Sequence, residues 1–137
     1  SCSLDLPDER KLWDTRTIPT LVFTKIGSNL QLQQQLKDKG VEIVELPSLT
    51  PIAVMEDLYN RGQSQVLWEC GGVLAAAAIV DGTIQKIMAF IAPKIIGGQN
   101  APSAIGDLGL TKMTDALSLK NVTFEAIGSD LLLEGYL

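Results

Sequence analysis

Two short stretches of this sequence hold residue types able to do chemistry. The first is Val66-Leu67-Trp68-Glu69-Cys70-Gly71-Gly72-Val73-Leu74-Ala75-Ala76-Ala77-Ala78, an apolar, β-prone run that passes through two glycines into a row of alanines. A strand, a glycine turn and a helix of small residues can bind an anion without any basic side chain. The first four backbone N–H groups of a helix have no acceptor within it, and they lie at the positive end of its dipole. Gly71 and Gly72 lack a Cβ, so a phosphate or pyrophosphate can come close to the backbone. The small side chains of Ala75, Ala76 and Ala77 let the helix sit tight against a sheet or against a ligand lying across its end. Glu69 ends the strand, where ligands of open α/β sheets bind, and its carboxylate can accept hydrogen bonds from an amine, hydroxyl or amide edge. The same residues also suit a plain tight connection between strand and helix, with Glu69 solvated. The glycines are not followed by the lysine and hydroxyl of a P-loop, and the GxGxxG spacing of the doubly wound dinucleotide fold is absent.

The second stretch is Ile87-Met88-Ala89-Phe90-Ile91-Ala92-Pro93-Lys94-Ile95-Ile96-Gly97-Gly98, a buried strand running into Pro93 and a glycine-rich loop. Lys94 can meet a phosphate, although a lysine just past a strand usually faces solvent.

The elements that must position these stretches follow from periodicity. Residues 18–24 are short, apolar and β-prone. Residues 28–40 carry Leu30, Leu32 and Leu36 among polar neighbours and predict a helix closed by Gly40. Residues 41–46 alternate as a half-buried strand, and Pro51 opens a helix that runs through Tyr59 and Arg61 to Gly62. A third strand is expected over 65–69, an Ala-rich helix over 71–80 stopped by Asp81-Gly82, and a fourth strand over 84–92. Alternating strands and helices of these lengths favour an α/β fold with an open, largely parallel sheet covered on both faces. Residues 94–110 read as a long loop, a class often functional in compact domains. Residues 122–127 and 131–136 flank Gly128-Ser129-Asp130 and predict a closing antiparallel hairpin.

Composition narrows the function. Of 137 residues, 46% are hydrophobic and 20% charged, which is globular composition for one domain. The net charge of −5 comes from 16 acidic and 11 basic residues without a basic cluster, which argues against nucleic acid as a partner. At 5%, aromatics are too few for a base-stacking platform. With no histidine, the chain alone cannot build a Ser-His-Asp triad, a Cys-His pair or a histidine-containing zinc site. Cys2 and Cys70 have no CxxC spacing, so no metal is expected and a reduced, cytoplasmic compartment is the default. The longest apolar run, residues 71–80, is too short to cross a bilayer, so no membrane partner is expected. The chain does not begin with Met, and its first residues read as the end of a strand begun upstream, which suggests a piece of a longer protein.

The two stretches together resemble the reductase domain of the bifunctional deaminase/reductase of riboflavin biosynthesis. In that family a Glu-Gly-Gly-Pro-x-Leu-like motif opens the cofactor helix, and a later strand ends in a Tyr-Ile-Ala-Pro-Lys-Leu-Leu-Gly-like run. The counterparts here are Glu69-Cys70-Gly71-Gly72-Val73-Leu74 and Phe90-Ile91-Ala92-Pro93-Lys94-Ile95-Ile96-Gly97, in matching order and spacing. The resemblance runs more weakly over nearly the whole chain, including Leu6-Pro7 and the strand from Pro19 to Thr24. It implies a dihydrofolate-reductase-like three-layer fold, of which residues 1–137 form the C-terminal part of a single domain.

The implied reaction is hydride transfer from NADPH that opens the ribosyl ring of a phosphoribosylaminouracil to a ribityl chain. By resemblance Glu69 contacts that small-molecule substrate, while Gly71, Gly72, Val73, Leu74, Ala75, Ala76 and Ala77 line the NADPH pyrophosphate site. Ser1 matches a cofactor-contacting serine at the end of an upstream strand, and no catalytic residue is assigned. Thr24 and Lys25, at a strand end, are candidates for the 2′-phosphate that separates NADPH from NADH. The family implies an upstream deaminase domain in the parent chain and self-association into a homo-oligomer. Three departures stand out. Cys70 replaces a glycine, Val73 stands where a threonine often offers a hydroxyl, and Gln85-Lys86 replaces an acidic pair. The N-terminal half of such a domain supplies much of the substrate pocket, so this chain alone is expected to bind NADPH weakly and not to turn over substrate. A pterin or dihydrofolate-type reductase of the same fold, and a non-catalytic nucleotide-binding α/β module, are the competing readings.

Overall fold

The apolar, β-prone run that ends at residue 25 and the half-buried run over 42–46 build a parallel strand pair. In the computed structural model, which describes residues 1–7 and 10–137, β1 (Leu21–Lys25) and β2 (Glu42–Leu46) lie in register from Leu21 opposite Glu42 to Lys25 opposite Leu46. Helix α1 (Leu30–Asp38) makes the crossover between them, as a parallel connection requires. Two compact units are present, Ser1–Gln63 and Ser64–Leu137. The first has its own core, in which Leu4, Trp13, Val22, Leu32, Leu36 and Val41 cluster, with Leu6 and Ile43 packed against them. The second helix of this unit, α2 (Pro51–Asn60), starts on Thr50, whose hydroxyl accepts from the amide of Ala53, with Pro51 in the first turn where its missing N–H costs nothing.

The helix stops foreseen at Gly40, Gly62 and Gly82 share one device. After α1 the amide of Gly40 donates to Lys37 and that of Val41 to Leu36; after α2 Gly62 donates to Tyr59 and Gln63 to Leu58. After α3 (Gly72–Val80) Gly82 donates to Ile79 and Thr83 to Ala78. This paired bonding satisfies two otherwise orphaned carbonyls and needs a left-handed residue, and all three glycines have φ near +70 to +80° (83, 82 and 68°). At the first stop Leu36 and Val41 also meet in the core, the apolar contact that accompanies the motif.

The second unit contains α3 and an antiparallel sheet in the order β3-β5-β4, formed by β3 (Lys86–Ile91), β4 (Lys120–Ile127) and β5 (Asp130–Tyr136). The predicted hairpin is found, with Ile127 opposite Asp130 across Gly128-Ser129. Gly128 has φ +62° and Ser129 is not left-handed, the φ pattern of a type II′ turn.

Two features differ from the expected strand pattern. The fourth strand pairs antiparallel, Lys86 opposite Tyr136 through Ile91 opposite Leu131, so of the pairings described only β1–β2 is parallel. The third predicted strand, 65–69, carries no strand pairing among the described residues. Apolar β-branched composition favours an extended backbone, but a strand exists only where a ladder partner takes up its N–H and C=O groups. No helix among the described residues is long and apolar enough to cross a membrane.

Candidate functional site

The glycine turn sits where the sequence reading put it. Gly71 is the N-cap of α3, with φ −73° and ψ 164°, and no side chain caps the helix. The amides of Gly72, Val73 and Leu74 therefore belong to the first turn, ahead of the first intrahelical donor, Ala75, which bonds to the Gly71 carbonyl at 3.0 Å. Their N–H groups have no intrahelical acceptor and lie at the positive end of the helix dipole, an arrangement able to take an anion. A Cβ built on Gly71 would meet nothing within 4 Å, so the space beside Gly71 is open. Val73 is 86% exposed and Leu74 44% exposed, which leaves the first turn accessible. A phosphate fits the residues present: uncapped amides, an open approach, and no carboxylate within the first turn.

The alanines divide their roles. Ala76 and Ala78 are buried, and Ala75 and Ala77 are half-buried. Ala76 and Ala78, two positions apart, lie on opposite faces, so the middle of the helix is enclosed on more than one side, and Gly71, Val73 and Leu74 form the accessible end. Glu69 is exposed two residues before the cap. Ile105 and Leu117 contribute, with Ile79, Ile87 and Leu137, to a cavity of about 240 Å³. Its lining is apolar, so it reads as the interlayer core of this unit and offers a charged ligand no partner.

The second motif closes β3. Pro93 stands at the centre of a tight turn in which the amide of Lys94 donates to the carbonyl of Ala92 at 2.8 Å. Lys94 is exposed, and Ile95 and Ile96 are 100% and 95% exposed. The long loop was anticipated, but not its contact with the helix. The amide of Gly106 donates to the carbonyl of Gly72 at 2.9 Å, which brings residues 103–106 onto the first turn of α3. A glycine within a loop was the sole signal for it in the sequence.

Ser1 belongs to the first unit and the glycine turn to the second. The Ser1 amino group donates to the carbonyl of Phe23 at 3.0 Å, so the first residues run beside β1. Three side chains hold them there: Thr24 donates to the Ser1 carbonyl, Ser28 to that of Cys2, and Asn29 to that of Leu4, at 2.9, 2.8 and 3.1 Å. Thr24 is fully buried by this role, which removes it as a contact for a 2′-phosphate; Lys25 is exposed at the strand end. The turn after β1 has a further support that the sequence reading missed. Glu45 accepts from the Gly27 amide at 2.6 Å and from the Gln33 side chain at 2.9 Å, and Gln33 also donates to the Ser28 carbonyl. These hydrogen bonds, that from Gln33 foremost, hold the Glu45 carboxyl below its ordinary range, with a smaller contribution from Lys37. A polar Gln33 on the apolar side of α1, next to Leu32 and Leu36, was the available clue. Among the described residues no group of three or more Cys, Asp or Glu side chains is placed to hold a metal ion.

A parallel β-α-β unit, followed by a helix and an antiparallel three-stranded sheet, gives a mixed α/β architecture of the dihydrofolate-reductase-like kind. Solved structures agree. RibD of Acinetobacter baumannii superposes with a TM-score of 0.80 over 98% of this chain and 35% of that one, at 23% identity, which shows the fold. A pyrimidine reductase-like protein of Corynebacterium diphtheriae matches with a TM-score of 0.67 over 99% of this chain and 58% of that one, at 25% identity. The chain belongs to the RibD C-terminal domain family, whose model matches residues 1–133. The riboflavin biosynthesis protein RibD of Synechocystis is 53% identical over all of this chain and 37% of its own length. The chloroplastic riboflavin biosynthesis protein PYRR of Arabidopsis thaliana is 50% identical over 98% of this chain and 22% of its own. The chain thus spans between about a fifth and two fifths of the length of these relatives.

Proposed function

We propose that residues 1–137 are the C-terminal, cofactor-holding part of a single NADPH-dependent pyrimidine reductase domain. On this reading the parent protein reduces the ribosyl group of 5-amino-6-(5-phosphoribosylamino)uracil to a ribityl chain in riboflavin biosynthesis. The observation that carries the reading is the uncapped, accessible N-terminus of α3 with open space at Gly71, in a chain of the RibD C-terminal domain family. The amides of Gly72, Val73 and Leu74 hold the pyrophosphate, Gly71 gives it room, and Ala75, Ala76 and Ala77 keep the helix close to its packing layer. Glu69 orients the pyrimidine through hydrogen bonds accepted by its carboxylate. NADPH, when bound, supplies the hydride; the protein's part is to align donor and acceptor carbons and exclude water.

The parent chain, on the same proposal, carries an upstream deaminase domain, and its reductase domains self-associate in the cytoplasm, or in the chloroplast where the relative is so named. The 137-residue chain binds NADPH weakly and turns over no substrate, because the rest of the substrate pocket lies in the longer protein. Titration of NADPH against this chain and against the longer protein, with a rate measurement on each, tests the reading. Tight binding and turnover only in the longer protein are expected. Full activity of the short chain would overturn the division of labour, and no NADPH binding by the longer protein would overturn the cofactor assignment.

A further inference from the structure

The two adjacent glycines at the start of α3 face different neighbours. A Cβ on Gly71 would meet nothing within 4 Å, whereas one on Gly72 would lie 2.5 Å from the carbonyl oxygen of Ser103, 3.1 Å from the Gly106 nitrogen and 3.4 Å from the Ile105 carbonyl carbon. The exclusion is reciprocal, since a Cβ on Gly106 would lie 3.0 Å from the Gly72 oxygen and 3.4 Å from the Val73 Cα. Every one of these neighbours is backbone, so no flexible side chain can give way. The hydrogen bond from Gly106 to Gly72 at 2.9 Å locks the approach. Local bonds stiffen the loop on either side: the Ser103 hydroxyl donates to the Ile105 carbonyl at 2.5 Å, and the Gly109 amide donates to the Asp107 carboxylate at 2.7 Å.

We propose that residues 103–106 form a docked strap that sets the position of the first turn of α3, with Gly72 and Gly106 as its positioning residues. Gly71 alone gives room to the ligand; Gly72 gives room to the strap. The proposal deepens the cofactor assignment above and rests on it for its consequence in binding. The amides of Gly72, Val73 and Leu74 are the anion donors, and they are carried on the same turn that the strap holds. Displacing that turn by the roughly 1 Å needed to relieve a 2.5 Å contact misaligns all three amides at once, because donor–acceptor bonds weaken steeply with distance and angle.

The test compares Gly72→Ala and Gly71→Ala in the longer protein, reading NADPH affinity by titration and the exchange rate of the Gly106 amide. Neither glycine has a left-handed φ, so alanine strains neither backbone conformation, and only the Gly72 variant must displace a neighbour. Gly72→Ala is expected to weaken NADPH binding about tenfold or more and to speed Gly106 exchange, while kcat at saturating NADPH changes less than KM. Gly71→Ala, whose Cβ meets nothing within 4 Å, is expected to leave Gly106 exchange as in the wild type, whatever it does to affinity through the room it takes from the ligand. Ser103→Gly, which frees the backbone at the closest contact, should restore part of the affinity when added to Gly72→Ala. If Gly72→Ala fails to fold, Gly106→Ala makes the same measurement with the milder 3.0 Å contact. Wild-type affinity together with wild-type Gly106 exchange in Gly72→Ala overturns the strap. Fast Gly106 exchange in the wild type also overturns it, whatever the cofactor does. Failure of the wild type to bind NADPH, with Gly106 protected, overturns the cofactor reading and confines the strap to packing.

Discussion

Gly71→Asp should separate stability from function at one residue. The N-cap backbone of Gly71, φ −73° and ψ 164°, suits any residue, and the space a side chain would enter is empty. Aspartate is among the best N-cap residues, better than glycine by a few tenths of a kcal/mol. Its charge at the positive end of α3 adds about 0.3–1 kcal/mol. The variant should therefore be more stable by about 0.5–1 kcal/mol, a rise of a few degrees in Tm for a unit of this size. The same carboxylate takes the amides that a pyrophosphate would use. Loss of one charge-assisted hydrogen bond is worth about 1.5–3 kcal/mol, which is roughly a 10- to 100-fold loss of NADPH affinity before like-charge repulsion is added. Gly71→Asn, which caps without charge, should fall between wild type and Asp in affinity, and added salt should narrow the gap between the two variants. Thermal unfolding and NADPH titration, both on the longer protein, measure the two effects. Unchanged NADPH affinity in a folded, stabilised Gly71→Asp would refute the placing of the pyrophosphate at this helix end. A loss of stability would refute the reading of Gly71 as an open cap.

Gly40→Ala should be costly for two separable reasons. Gly40 has φ +83°, and its Cβ would lie 2.8 Å from the Thr15 hydroxyl, which donates to the Lys39 carbonyl. A left-handed alanine costs about 1–2 kcal/mol and the displaced hydrogen bond about 0.5–1.5 kcal/mol; denaturant unfolding should show the second part vanish in a Thr15→Ala background. For Glu45 the folded-state pKa lies below the ordinary 4.5, so its ionised form stabilises the turn after β1 above that pH. The contribution is lost as pH falls through the lowered value. Glu45→Gln should therefore unfold at lower temperature than wild type at pH 7, with the difference shrinking below about pH 4.5, as a Tm series across pH would record. A difference that is constant with pH would show that the carboxylate charge contributes nothing.

Much of this molecule was legible from local sequence because the signals are local. The stops at Gly40, Gly62 and Gly82 follow from the need for a left-handed residue after a helix, and the hairpin around Gly128 from the same requirement in a two-residue turn. The start of the Ala-rich helix at the glycine turn could be read too, and with it the orphan amides of the first turn, because these depend only on where the helix starts. What tertiary structure decided is which side of that turn is free. The sequence treats Gly71 and Gly72 alike; only the approach of residues 103–106, some thirty positions on, makes one an open cap and the other a packing contact. Pairing partners were equally out of reach. Residues 84–92 were recognisable as a strand, but its antiparallel partner residues in β5 lie about forty to fifty positions away, and residues 65–69 have strand composition without a ladder. A strand's composition reports its preference for an extended backbone, whereas its direction and its existence in a sheet depend on which distant backbone meets its hydrogen-bonding groups.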